Sequence, residues 1–250
     1  MNSILRRTSA ALAVATLAIA SPALAGSHGE KSDAQATGKM SDEKMSDEQE
    51  RAQMAAEVLS AAVTSEDGAI PEALLRKAWG VAVVPHVVKG AFGVGGRWGK
   101  GLVTCRTKDG RWSAPSFVSM GGASYGFQIG VEATDLILVF TDRSGLEGLL
   151  EDKVKLGADA GLTAGPIGRK AEAGTNLTLD SAIYSYSRSK GLFAGVALDG
   201  AVMTVDEEAN GKAYGKDVSA DALLHGKADS NATVQPFLKA MQQHVPRREA

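Results

Sequence analysis

The stretch Ile183-Tyr-Ser-Tyr-Ser-Arg-Ser-Lys-Gly-Leu-Phe-Ala-Gly-Val-Ala-Leu-Asp-Gly200 sets the reading of the whole chain. Taken two residues at a time, Tyr184, Tyr186, Arg188 and Lys190 share one side, and Ile183, Ser185, Ser187 and Ser189 share the other. Successive side chains of a strand point to opposite faces, so this is a β-strand with bulky and cationic groups on one face. Gly191 permits a sharp reversal. Leu192 to Val202 resumes as a second, glycine-punctuated apolar strand. The expected object is a β-hairpin with aromatics along one arm, two cations near its tip, and Leu192 and Phe193 just beyond. Charges at such a tip can simply face water, as most exposed charges do. The pattern alone leaves that reading open beside a ligand-binding one.

Composition narrows the rest. The chain has 250 residues, 44% hydrophobic and 22% charged, enough to bury one good core. A formal net charge of −2 supplies no global field for nucleic acid, so no nucleic-acid partner is expected. Its 29 glycines concentrate between Gly80 and Gly200, inside segments that otherwise look like strands. Glycine in strands marks curvature, bulges or close backbone approach. The fold class expected is α+β: a twisted, glycine-rich antiparallel sheet or partial barrel, packed by N- and C-terminal helices.

The first residues read as an export signal. Arg6 and Arg7 form a basic start, Ala10 to Ala20 is an apolar run too short to span a bilayer, and Ala23-Leu24-Ala25 is a cleavage pattern. The expectation is a signal peptide at 1–25 and a protein that is periplasmic or secreted, soluble or peripheral on a membrane. Residues 26–46 are expected to be a flexible acidic linker. Over 26–50 there are seven acids and three lysines, a charge of −4, with a short duplication at Met40-Ser-Asp-Glu and Met45-Ser-Asp-Glu. Cys105 is the only cysteine, in the strand-like Leu-Val-Thr-Cys-Arg, and reads as a small core residue.

Ser46 and Gln49 fit a capping box opening a helix over 47–64, and Pro71 suits the first position of a second helix ended by Gly80. Val81 to Val84 reads as a short strand stopped by Pro85. The run from Lys89 to Gly101 invites a phosphate-loop reading, which fails. Val94 stands where a Walker A loop needs glycine, and a strand follows where a helix is required. Two glycine-rich strands around a turn at 95–101 fit better. Asp109-Gly110 is a hairpin turn and Trp112 to Met120 its return strand. Gly121-Gly122 reads as another turn, with further strands over 124–131 and 136–141. Leu146, Leu149, Leu150 and Val154 recur at helical spacing, predicting a helix over 144–155. Short helices at 220–224 and 233–243 finish the chain. One domain is expected over 47–228, with a C-terminal helix and tail over 229–250.

Catalytic signals are thin. Gly122-Ala-Ser124-Tyr-Gly126 matches the nucleophile elbow of serine hydrolases, with His225 downstream in the required order. The elbow needs a helix after the serine, and Phe127-Gln-Ile-Gly-Val alternates like a strand. The four histidines, at 28, 86, 225 and 244, share no metal-ligand spacing. No metal, no cofactor and no enzymatic activity are expected, with a Ser124 hydrolase or an envelope structural or protein-interaction module as alternatives.

Three blocks together stop looking generic: Gly80-Val-Ala-Val-Val-Pro85 with Lys89 and the 93–101 glycine run; Asp109 to Phe117 with Gly121, Ser124, Gly126, Gln128 and Gly130; and Ala164-Gly-Pro-Ile-Gly-Arg169 with the 183–195 hairpin. Over roughly residues 50–228 the chain resembles the SYLF domain family, a lipid-binding module also called the actin-binding domain of certain yeast actin-patch proteins. The resemblance implies phospholipid binding, with phosphoinositides and actin bound by eukaryotic, cytosolic relatives. An export signal argues against actin and phosphoinositides as partners here and for a phospholipid membrane surface. Backbone nests in glycine-rich turns cradle anions, and cations near an anionic surface add about 1 kcal/mol each. The candidate lipid-binding residues are Lys89, Arg97, Lys100, Arg169, Arg188, Lys190 and Phe193.

Overall fold

The computed structural model describes residues 45–65, 70–92, 94–124, 130–151, 153–157, 161–166, 180–198 and 200–247. The export signal expected at 1–25, nearly all of the expected linker, and Arg169 lie outside these residues. Nine strands and six helices are described: α1 Asp47–Thr64, α2 Glu72–Lys77, β1 Gly80–Phe92, β2 Val94–Cys105, β3 Ser116–Ser124, β4 Gly130–Phe140, α3 Ser144–Glu151, β5 Lys153–Lys155, β6 Leu162–Ala164, β7 Ile183–Ser189, β8 Leu192–Gly195, β9 Ala201–Val205, α4 Glu207–Tyr214, α5 Ala220–Leu224 and α6 Gln235–His244. The strands form one strongly curled sheet, ordered β5-β9-β3-β2-β1-β4-β7-β6, with β8 added to β7. Among the described residues every ladder is antiparallel except β6 with β7, so the sheet is mixed. The α+β expectation holds.

The sheet is buried on both faces over its middle. One face carries Val83, Leu102, Phe117, Ile137 and Tyr186 and packs under α1, α2 and α6. The other carries Ala82, Val103, Val118, Leu138 and Met203 and packs with α3 through Leu146 and Leu149. Each large apolar side chain buried in this way is worth roughly 1.5–3 kcal/mol. Helix α1 begins where the sequence says it should: the Ser46 hydroxyl accepts from the Gln49 amide at 3.2 Å. Asp47, Glu48 and Glu50 in its first turn complement the helix dipole. Its buried face is alanine-rich, with Ala52, Ala55, Ala56 and Ala62 beside Val58 and Leu59, which lets the helix lie close to the sheet.

Several expectations are corrected. Pro85 does not stop a strand: β1 runs through it, and the register shifts there against both β2 and β4. A bulge leaves its extra residues outside the ladder, which is where a strand tolerates proline. His86 takes φ 49°, and its freed amide donates to Asp135 Oδ1 at 3.0 Å. The glycines at 95–101 are not a turn but lie inside β2, and β1 turns into β2 between Phe92 and Val94. Gly121 and Gly122 likewise lie inside β3, between β2 and β9. Gly80 opens β1 instead of closing α2. Gly101 shows why small residues are needed at the bulge, since a Cβ there would stand 2.1 Å from the Val83 carbonyl oxygen.

The expected helix over 144–155 ends at Glu151, and Lys153–Lys155 is the edge strand β5. Val154 matches helical spacing, but in Lys-Val-Lys it also alternates, and it inserts beside Met203 with both lysines exposed. The return strand from Trp112 begins at Ser116, with Trp112 bridged singly to Arg106. The second arm of the opening hairpin is also shorter than expected. Strand β8 stops at Gly195, and after Gly200 (φ 75°) β9 joins β3 in a different part of the sheet. Cys105 is a buried core residue whose thiol burial pushes up to about 12.

Candidate functional site

At the β1–β2 turn end of the sheet the polar side chains stop being explained by packing. Lys89 on β1 stands directly across from Arg97 on β2 and, on its other side, from Glu132 on β4. Glu132 in turn accepts a 2.9 Å hydrogen bond from the Ser189 hydroxyl at the end of β7. Lys190 follows, exposed in the turn at φ 51°, with Gly191 at φ 84°. A row therefore runs Arg97, Lys89, Glu132, Ser189, Lys190 across four strands, with three cations and one carboxylate. Like charges directly opposite on a sheet repel. Arg97 has a second peculiarity: its Nε is shielded from solvent and has no hydrogen-bond partner among the described residues. An acceptor supplied from outside would remedy both.

Trp98 and Leu192 give the same end an apolar character. They and Met45 are the exposed large hydrophobics of the described residues, at 55%, 73% and 47%. Trp98 lies across Gly90 and Gly96, where an added Cβ would meet its ring at 3.7 and 3.8 Å. The glycines form a flat seat that lets an indole stand on the sheet without being enclosed. Sequence reasoning missed Trp98. The signal was present: a tryptophan surrounded by glycines in a strand has no bulky neighbours to bury it.

Other candidates are placed differently. Arg188 reaches Asp135 at 3.8 Å, and its guanidinium lies 5.6 Å from the centre of the Phe193 ring. Phe193 is partly buried and packs against the helix-covered core, so the outward apolar group of this hairpin is Leu192. Lys100 lies on the opposite face of β2 from Arg97, its Nζ 2.9 Å from Asp206. Asp206 also accepts from the Ala209 amide as N-cap of α4 and lies 3.5 Å from Arg51 of α1. Burial opposes its ionisation, but the Lys100 hydrogen bond, the Ala209 amide and the charges of Lys100 and Arg51 prevail and hold its carboxyl below the usual range. Lys100 thus serves an internal ion pair. The structure gathers Lys89, Arg97 and Lys190, with Arg188 and Phe193 behind them, and leaves Lys100 apart.

The Ser124 elbow finds no support. Ser124 ends β3 and pairs with Gly95, near the start of β2. His225 lines a small cavity with Cys105, the last residue of β2. Ten residues of strand separate these ends, roughly 30 Å. The His225 Nδ1 is also 2.9 Å from Asp221 Oδ1, within its own short helix end. Among the described residues no group of three or more His, Cys, Asp or Glu is placed to hold a metal ion.

Residues 121–244 match a family model described as Ysc84, Las17-binding protein actin regulator. Protein YSC84 of Saccharomyces cerevisiae is 37% identical over 183 residues, 72% of this chain and 39% of the yeast protein. LAS seventeen-binding protein 3 of the same species is 36% identical over 183 residues, covering 40% of its length. The chain belongs to the SYLF (Ysc84) family. The human SH3 domain-containing YSC84-like protein 1 is 33% identical over 204 residues, 79% of this chain and 59% of the human protein. This SYLF chain therefore spans about two-fifths to three-fifths of the length of these relatives. They are named for binding and domain content, not for an enzymatic activity. The stretch matched by the family model takes in the β7–β8 hairpin and Asp206, whereas Lys89, Arg97, Trp98 and Lys100 lie before it.

Proposed function

We propose that this SYLF chain binds the anionic head groups of phospholipids at a membrane surface of the cell envelope, without catalysis. The observation that carries the reading is the Lys89–Arg97 pair: two opposed cations, one with a shielded donor unpaired among the described residues, at the same end of the sheet as exposed Leu192 and as Trp98, which stands on the face opposite Arg97. A phosphate oxygen would accept from Arg97 Nε and offset the repulsion between the two cations. Trp98 and Leu192 would enter the interfacial layer, where tryptophan favours the boundary between apolar and wet. No described helix is long and apolar enough to cross a membrane. Contact of this kind is peripheral and salt-sensitive. Read as an export signal, residues 1–25 support a surface in the envelope, periplasmic or outside the cell, where actin and phosphoinositides would be poor partners.

Flotation of the full chain with vesicles tests this. Equimolar phosphatidylglycerol and phosphatidylcholine should carry the protein at low salt, and phosphatidylcholine alone should not. Absence from both fractions would overturn the proposal. The relatives' names support a second reading, a protein-interaction module. Binding to filamentous actin without vesicle binding would favour it.

A further inference from the structure

A polar cavity of about 700 Å³ opens at the other end of the sheet, past Cys105 and away from the Lys89–Arg97 row. Its walls come from the turn after β2, the segment following α5 and the C-terminal end of α6. The volume lies within the range of small-molecule sites, about 300–1,000 Å³. Three guanidinium groups line it, those of Arg106, Arg111 and Arg247, against the carboxylates of Asp109 and Asp229.

Arg106 is only 5% exposed. Its guanidinium lies 3.9 Å from the Trp112 ring centre and donates to the carbonyls of Gly110 and Pro246, which pins it in place. Asp109 is taken up by Arg111 and Thr107 within its own turn. Trp112 is 9% exposed, and its indole N–H is shielded from solvent with no acceptor among the described residues. Buried polar groups are ordinarily paired, and an orphaned donor in the wall of a polar cavity asks for a ligand oxygen.

We propose that this cavity binds a small multivalent organic anion, one oxygen accepting from Trp112 Nε1 and its charge lying between Arg111 and Arg247. Arg106 is the fixed floor, held by its stacking on Trp112 and by its hydrogen bonds to the Gly110 and Pro246 carbonyls. The site is separate from the membrane-facing row and does not depend on it.

The test uses the three tryptophans, Trp79, Trp98 and Trp112, each with one indole N–H resonance. The full chain, labelled with ¹⁵N, is titrated with citrate at constant ionic strength, and Trp112→Phe identifies the Trp112 signal. The Trp112 indole should move saturably while those of Trp79 and Trp98 stay. Arg111→Ala with Arg247→Ala should weaken binding roughly tenfold or more, as expected when charge-assisted hydrogen bonds are lost. Trp112→Phe keeps the ring under Arg106 and should also weaken citrate binding, read by calorimetry. No saturable shift with citrate, or a shift unaltered in the double-arginine variant, would overturn the site. Equal movement of all three indoles would mean non-specific anion binding and would overturn it as well.

Discussion

Lys89 and Arg97 stand opposite each other on neighbouring strands, and the Arg97 Nε finds no acceptor among the described residues. A sheet pair of this kind lowers stability, by roughly 0.2–1 kcal/mol on the scale of cross-strand interactions. Lys89→Gln should therefore raise the stability of the isolated protein slightly in urea unfolding while weakening its binding to anionic vesicles. A fall in stability would show that Lys89 is held in place by Glu132 and has a structural role.

Trp98 separates binding from folding even more cleanly. It is 55% exposed and rests on glycines, so Trp98→Ala should change unfolding free energy by no more than about 0.5 kcal/mol. Vesicle binding should fall. Unchanged flotation would remove Trp98 from the proposed membrane-binding surface.

Gly101 tests the account of the bulge. A Cβ there would meet the Val83 backbone at 2.1 Å, and backbone cannot swing aside as a side chain can. Gly101→Ala should cost about 3 kcal/mol, the upper end of overpacking effects. Gly121→Ala, with open space around it, is the control and should cost far less. Urea midpoints of the two variants give the comparison.

Asp206 ties α1, β2 and α4 together, and its folded-state carboxyl is held below the usual range. A group whose folded pKa is depressed contributes stability above its unfolded value, near 3.9, and that contribution fades as pH falls through the folded value. Stability should therefore drop on acidification below about pH 4, and Asp206→Asn should flatten that part of the profile. Thermal unfolding across pH 2–6 reads it, and identical profiles would exclude Asp206 as the source.

Cys105 offers a check on the core. With its thiol pushed up to about 12 by burial, it should not react with a thiol reagent at neutral pH until the protein unfolds. Rapid labelling of the native protein would place Cys105 at an open surface.

The sequence made some of this legible and hid the rest for physical reasons. The helix starting at Asp47 could be read because a serine cap and a hydrophobic stripe coincide. The β7 strand could be read because Tyr184 and Tyr186 alternate with Ser185. Its burial did not follow the alternation, since both faces of the sheet are covered there and Ser185 is enclosed with Tyr186. Glycine misled in one direction: Gly95 to Gly101 and Gly121 to Gly122 looked like turns and lie inside continuous strands, where Gly99, Gly101 and Gly122 allow close approach. Pro85 misled in the other, because a bulge absorbs it. Within the candidate site, local pattern could identify Lys89, Arg97 and Lys190 as cations but not their partners. Lys100 is spent on Asp206, over a hundred residues away, and no spacing rule announces such a pairing. Trp98 was overlooked because an isolated aromatic in a glycine run matches neither a core stripe nor a motif.

The most direct test of the membrane reading is salt-dependent binding of the parent chain and the Lys89→Gln/Arg97→Gln double variant to equimolar phosphatidylglycerol and phosphatidylcholine vesicles. Two cations at about 1 kcal/mol each predict roughly thirtyfold weaker binding for the double variant, with a shallower dependence on salt. Equal affinity and equal salt dependence for the two proteins would contradict the account.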